Sequence, residues 1–144
     1  GVSGIDGSTS TAAGAACVGE GMTVLITGDM SFSYDVNGLS STYLSPRFKI
    51  IVMCNGGGGI FRFIKPTSDL PELETCFEIH RDISVEKYAD LFGLRYFELN
   101  DEKSAAEVLS LFFAEKDRPA ILAVHTPNVY NAEVLRGYFR RSRQ

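Results

Sequence analysis

Two short stretches carry the residues best suited to chemistry, and their key members, Asp29 and Asn55, lie 26 positions apart. Gly28-Asp29-Met30-Ser31 offers one carboxylate followed by backbone N–H groups. Asn55-Gly56-Gly57-Gly58-Gly59 offers an amide oxygen followed by carbonyls that no Cβ shields, so a ligand can come close to the backbone. Asp29, Asn55 and a loop carbonyl form an all-oxygen donor set. Such a set suits a hard cation such as Mg²⁺ and leaves octahedral positions open for phosphate oxygens and water. A helix starting near Met30 and Ser31 would aim N–H groups at a phosphate. Together the two stretches describe a metal–diphosphate site. Other phosphate motifs fit badly: no glycine precedes a Lys-Ser or Lys-Thr, and a dinucleotide fingerprint drawn on the glycine run meets Phe61 where its last glycine belongs.

The elements around these stretches bring them together. Residues 23–27 form a continuous apolar, β-branched run, the pattern of a buried parallel strand, and it ends at Gly28-Asp29. Residues 48–54 repeat that pattern and run into Asn55. Residues 119–125 supply a third apolar strand and 95–98 a short fourth. Helices are expected over 12–18, with caps among Ser8 to Thr11 and a stop at Gly19 and Gly21; over 32–42, capped by Ser31; over 84–92, between Ser84 and Gly93; and over 131–141. A further helix over 104–116 would turn Val108, Leu109, Leu111 and Phe112 inward. Residues 59–68 are loop or short helix. Strands alternating with helices imply an α/β fold, a parallel sheet with helices on both faces, as a single domain over 1–144. Ligands of such sheets bind outside the carboxyl ends of the strands, which selects the loops after residues 27 and 54.

Composition narrows the field. A net charge of −4 gives no pull towards nucleic acid or an anionic membrane. The apolar run over 48–54, broken by Lys49, is far too short to span a bilayer. Cys17, Cys54 and Cys76 are scattered, with only His80 and His125 to join them, so neither a zinc site nor a disulfide framework is expected and a reducing cytoplasm fits. The chain opens without Met inside a Gly/Ser-rich stretch, which leads us to expect a segment of something longer.

A Gly-Asp closing one strand and an Asn closing the next resemble the cofactor motif of the thiamine-diphosphate-dependent decarboxylases and synthases. Within that family, several stretches are similar to the synthases of menaquinone biosynthesis. These are Gly1-Val2-Ser3-Gly4-Ile5-Asp6-Gly7, Ser10-Thr11-Ala12-Ala13-Gly14, Gly28-Asp29-Met30-Ser31 with Tyr34-Asp35-Val36-Asn37, and Asn55-Gly56-Gly57-Gly58-Gly59-Ile60-Phe61. The resemblance covers most of the chain and is strongest up to Ile64. It implies a thiamine-diphosphate-binding fold in which Asp29, Asn55 and the Gly57 carbonyl hold Mg²⁺ and the backbone of Met30 and Ser31 holds the diphosphate. Gly28, Gly58 and Ile60 would lie beside the cofactor. Ile5 would be the apolar wedge that bends it, with a carbonyl near Ser3 or Gly4 meeting its aminopyrimidine. Ile60, Phe61 and Ile64 would line the substrate pocket. It further implies a homo-oligomer acting on 2-oxoglutarate and isochorismate. The activating glutamate would belong to a separate N-terminal domain of a partner subunit, so this chain would hold half a site and be inactive alone. Two positions depart from the family pattern: Cys54 stands where Asn is frequent, and Met30 where Gly is.

Plainer roles compete at each position. Asp29 could be a helix cap, Ile5, Phe61 and Ile64 ordinary packing, and Asp6 a turn residue. Cys54 fits a small buried hydrophobe, His125 a hydrogen-bonded structural histidine, and His80 a solvated one. Arg136, Arg140, Arg141 and Arg143 fit a solvated helix face, while Arg62 and Lys65 could attract substrate carboxylates. Two other functions stay open: another thiamine-dependent decarboxylase or acetohydroxyacid-synthase-like protein, and a nucleotide-binding or assembly module that would not need Asp29. A domain of this kind, taken without its neighbours, should expose apolar surface and self-associate.

Overall fold

The computed structural model describes residues 4–78 and 83–141. Its centre is a four-stranded parallel sheet. The strands are β1 (Thr23–Gly28), β2 (Phe48–Cys54), β3 (Arg95–Leu99) and β4 (Ala120–His125), in the order β1-β2-β4-β3. The helices are α1 (Ser8–Val18), α2 (Asp29–Tyr34), α3 (Gly59–Phe63), α4 (Val85–Phe92), α5 (Ala105–Ala114) and α6 (Asn128–Arg141).

Period-two alternation on β2 and β4 sends residues to two different cores. Phe48, Ile50 and Val52 join Ile121 and Ala123 beneath α1 and α4, with Phe32 and Leu39 completing the layer. On the opposite face Phe112 of α5 closes over Ala120 and Leu122 and meets Phe97 edge-on, the ring centroids 5.7 Å apart. Lys49 lies on this second face, fully buried; its Nζ donates to the Glu115 carbonyl at 2.7 Å and stands 5.9 Å from the Phe112 ring centre. Burial pushes the Lys49 ammonium below its usual range, and the nearby Glu115 charge only partly restores it.

Four expectations need correction. β1 is an edge strand rather than a buried one: α5 packs over β3 and β4, and Val24 and Ile26 are left 43% and 68% exposed. Leu111 is 56% exposed, because the inward side of α5 is filled by Val108, Leu109 and Phe112. Ser8 to Thr11 lie inside α1, whose N-cap is the left-handed Gly7 (φ 81°). Ser31 likewise lies inside α2, which begins two residues earlier at Asp29. By contrast, Ser84 accepts the Lys87 amide to cap α4, and Gly93 closes that helix at φ 70°. Among the described residues no helix is long and apolar enough to cross a membrane.

Candidate functional site

The register of the sheet places the two candidate loops side by side. Gly28 pairs with Met53 and Cys54 with His125, so Asp29 and Asn55 emerge together at the carboxyl edge. Asp29 is buried, and both its oxygens are in use. Oδ1 accepts the Met30 amide at 2.8 Å. Oδ2 accepts the amides of Asn55, Gly56 and Gly57 at 3.0, 2.9 and 3.1 Å. Three consecutive amides can converge on one oxygen only if the chain curls tightly. Gly56, Gly57 and Gly58 supply that curl with φ of 86°, 87° and 70°, values that strain any residue bearing a Cβ. The Asn55 side chain tightens the loop further, its Oδ1 accepting the Gly57 amide at 3.1 Å.

The fourth glycine has a different reason. A Cβ on Gly59 would lie 2.5 Å from Asn128 Oδ1 and 2.6 Å from Asn55 Nδ2, so any side chain there would push both amides out of place. Asn128 is held in turn by Glu78, whose Oε1 accepts its Nδ2 at 2.8 Å. Glu78 is buried and also accepts Arg62 Nε at 2.7 Å, while Arg62 reaches Glu74 at 2.9 Å and its carbonyl accepts the Arg136 guanidinium. These bonds hold the Arg62 guanidinium protonated more firmly than usual, Glu78 being the main cause.

A cleft of about 370 Å³ opens in front of these loops. One end is polar, made by Gly28 to Ser31 with Asn55, Gly58 and Gly59. The other is apolar, made by Ile5, Tyr34, Ile60, Phe61 and Phe77. The predicted residues Ile5, Gly28, Asp29, Met30, Ser31, Asn55, Gly58, Ile60 and Phe61 therefore share one cavity. Gly4, Gly57 and Ile64 stand outside its lining; Gly57 is buried behind it, and Ile64 is 43% exposed. Ser3, His80 and Arg143 lie outside the described residues. The Met30 amide is committed to Asp29 and the Ser31 hydroxyl to the Ile5 carbonyl, so both residues serve the loop as well as facing the cleft.

The remaining candidates fall into structural roles. Arg62 is bound by Glu78 and Glu74 and is not free to meet a substrate carboxylate; Lys65 pairs with Asp69 at 3.3 Å on the surface. His125 Nε2 lies 3.1 Å from Glu98 Oε1, which also accepts the Tyr96 hydroxyl. Burial, with the charges of Asp29 and Glu98, pushes the Cys54 thiol up to about 11, so it stays protonated. Asp6 accepts the Gly7 amide in a turn. Glu78, Asn128, Tyr34 and Phe77 were not legible as site residues. Their only local signal is composition, and Phe77 reaches the cleft with its ring tilted against Phe61, 5.4 Å between centroids.

The fold defines a class. It superposes on the Rhodococcus jostii RHA1 thiamine diphosphate-dependent 4-hydroxybenzoylformate decarboxylase with a TM-score of 0.67, over 81% of this chain and 22% of that one, at 24% identity. It also superposes on the benzoylformate decarboxylase from Polynucleobacter necessarius with a TM-score of 0.52, over 73% of this chain and 19% of that one, at 17% identity. The chain thus has the α/β fold of one domain of these enzymes.

In sequence it is a homologue of one stretch of the 2-succinyl-5-enolpyruvyl-6-hydroxy-3-cyclohexene-1-carboxylate synthases. It is 49% identical over 139 residues to that synthase of Porphyromonas gingivalis, covering 96% of this chain and 24% of the relative. It is 45% identical over 141 residues to that of Flavobacterium johnsoniae, covering 97% and 25%. The chain spans about a quarter of the length of these curated relatives. No family model matches it.

Proposed function

We propose that this chain is the Mg²⁺–thiamine-diphosphate-binding domain of a synthase of menaquinone biosynthesis. That synthase would decarboxylate 2-oxoglutarate and join the remaining fragment to isochorismate. The observation that carries the reading is the Asp29 carboxylate closing the Asn55–Gly57 loop at the polar end of a cleft whose other end is apolar. Alignment of nearly all of this chain with about a quarter of the named synthases supports the choice within the thiamine enzymes.

The donor set fits the cation. Asp29 Oδ1 accepts one amide and keeps a further lone pair, Asn55 Oδ1 lies in the same loop, and the glycines leave carbonyls unshielded. Among the described residues no three His, Cys, Asp or Glu side chains gather, so the oxygen set suits a hard ion that shares its shell with phosphate and water rather than a caged transition metal. Asp29, Asn55 and the Gly57 carbonyl would hold Mg²⁺, and the α2 start at Met30 and Ser31, with Gly28 and Gly58, would face the diphosphate. Ile5 and Ile60 would take the rings from either side, with the Ser3–Gly4 backbone at the aminopyrimidine, and Phe61 and Ile64 would border the substrate. Thiamine diphosphate, when bound, supplies a carbon nucleophile and a sink for the electrons released with CO₂. The apolar wall would lie against the rings of a bound cofactor, and the Asp29 loop would fix the charged end in place. The reading includes a homo-oligomeric, cytoplasmic enzyme in which an N-terminal domain of a partner subunit completes the site.

Calorimetric titration of thiamine diphosphate tests it, with Mg²⁺ and with EDTA, on the chain and on Asn55→Ala. We expect binding that requires Mg²⁺ and weakens at least tenfold in the variant, the cost of a lost ligand of this kind. Binding that ignores EDTA and survives Asn55→Ala overturns the assignment.

A further inference from the structure

Most of the cleft lining comes from two short segments, 28–34 and 58–61, whereas Ile5 comes from outside both, and something must fix its distance from the polar end. Ile5, the apolar wall, sits in a turn before α1 that no strand holds, and it is 47% exposed. Among the described residues, the bonds that tie Ile5 and the α1 start to the rest of the cleft come from α2 and the turn behind it. The Ser31 hydroxyl donates to the Ile5 carbonyl at 2.7 Å and lies 2.9 Å from the Ser8 hydroxyl. Asp35 accepts the Ser10 amide at 2.7 Å and the Ser10 hydroxyl through its other oxygen.

This second contact fills a gap in α1. That helix has no acidic residue in its first turn and no side-chain cap of its own, because its N-cap is Gly7. A helix start with unmet amides favours a carboxylate, and Asp35 brings one from a distance of 25 residues. The approach is close: a Cβ on Gly38 would lie 2.7 Å from Ser10 Oγ and 2.8 Å from Ser10 Cα and N, so the segment behind α2 lies flat against the α1 start. Burial alone would raise the Asp35 carboxyl, but the Ser10 and Thr9 hydrogen bonds hold it below its ordinary range.

We infer that Asp35, together with the Ser31 hydroxyl, is a positioning element that latches the Ile5 wall to the diphosphate end of the cleft. The same short stretch that starts at Asp29 thereby sets both the charged anchor and the distance to the apolar wall. The cleft is prepared for a ligand carrying both a diphosphate and an apolar ring. Naming that ligand as thiamine diphosphate rests on the proposed function; the latch does not.

Two measurements on the whole chain separate these ideas. The first is amide hydrogen exchange without ligand on wild type, Asp35→Ala, Asp35→Asn and Ser10→Ala. Asp35→Ala should speed exchange over residues 5–11 about tenfold while the 55–58 loop stays as protected as in wild type, the loss of a charge-assisted cap. Asp35→Asn keeps one acceptor and one donor for Ser10 and should recover most of the protection. Ser10→Ala, which removes only a hydroxyl, should show the same pattern at smaller size. The second is calorimetry with Mg²⁺–thiamine diphosphate and with Mg²⁺–pyrophosphate, which lacks the rings. Asp35→Ala should weaken the former roughly five- to tenfold and leave the latter unchanged. Unchanged exchange over 5–11, or equal weakening of both ligands, overturns the latch. A wild-type chain that binds pyrophosphate but not thiamine diphosphate removes the cofactor reading instead, and the exchange comparison still decides the latch.

Discussion

Replacing Asp29 by Asn should destabilise the chain even where no metal or cofactor is present. The carboxylate accepts four amides, one through Oδ1 and three through Oδ2. An Asn amide has one oxygen and one NH₂. Its best orientation turns the oxygen to Asn55, Gly56 and Gly57 and leaves the NH₂ facing the Met30 amide, donor against donor. One bond is lost, and the other three change from charge-assisted to neutral. Charge-assisted bonds contribute about 1.5–3 kcal/mol and neutral ones about 0.5–1.5, while an unmet buried donor costs about 1–3. Release of the buried charge offsets part of that sum. A net loss of about 3 kcal/mol follows, which for a domain near 150 residues lowers Tm by roughly 10 °C. Urea unfolding followed by circular dichroism, in EDTA, measures it. A change below about 0.5 kcal/mol, the usual range for surface substitutions, would refute the reasoning, because the loop would then hold its shape without the carboxylate.

Two further outcomes follow from buried charges. Glu78→Ala should cost about 2 kcal/mol in urea unfolding, since it strips the half-buried Arg62 and Asn128 of their shared buried acceptor, and it should speed amide exchange around Gly59; an unchanged midpoint would mean that Glu74 alone satisfies Arg62. Lys49 has a folded-state pKa below its ordinary 10.5, so between those two values the unfolded chain binds more protons and stability rises with pH. Lys49→Met should remove that rise at no net cost near neutrality, and a stability profile that is flat over the window in wild type would count against the burial of the ammonium.

Much of this architecture was legible because the local signals agreed with the fold. β2 runs over Phe48–Cys54 as its apolar run indicates, and α4 is bounded by Ser84 and Gly93, whose chemistry is purely local. What failed depends on neighbours. The run at 23–27 is apolar enough for a central strand, yet only its position at the sheet edge decides that Val24 and Ile26 face outward. Ser31 looks like a cap in sequence, but α2 begins at Asp29, which puts Ser31 inside the helix with its hydroxyl on the Ile5 carbonyl. Arg62 looked free because its partners are 12 and 16 residues away, in a stretch with no periodic signal. The convergence of Asp29 and Asn55 was legible for the opposite reason: an Asp and an Asn with a glycine run that follow two neighbouring parallel strands come out at the same edge of the sheet.

On the proposed reading Asp29 would have two demands on it, and its hydrogen bonds leave room for both. If the carboxylate served only a cation, the loop would have to form when the ion arrived, and ordering Asn55 to Gly58 would cost about 1–2 kcal/mol per residue, drawn from the binding energy. Here Oδ2 holds three loop amides already, and the Asn55 side chain is fixed against the Gly57 amide. A cation that takes Oδ1 and the Asn55 oxygen would meet ligands whose backbone is already set, so little further ordering is needed. The three left-handed glycines then matter twice. They let the amides turn inward to the carboxylate, and they keep the outward side of the loop free of side chains where a diphosphate would lie. Replacing Gly56, whose Cβ would meet nothing within 4 Å, would clash with no neighbour but strain the curl; the conformation, rather than the room, is what that glycine provides.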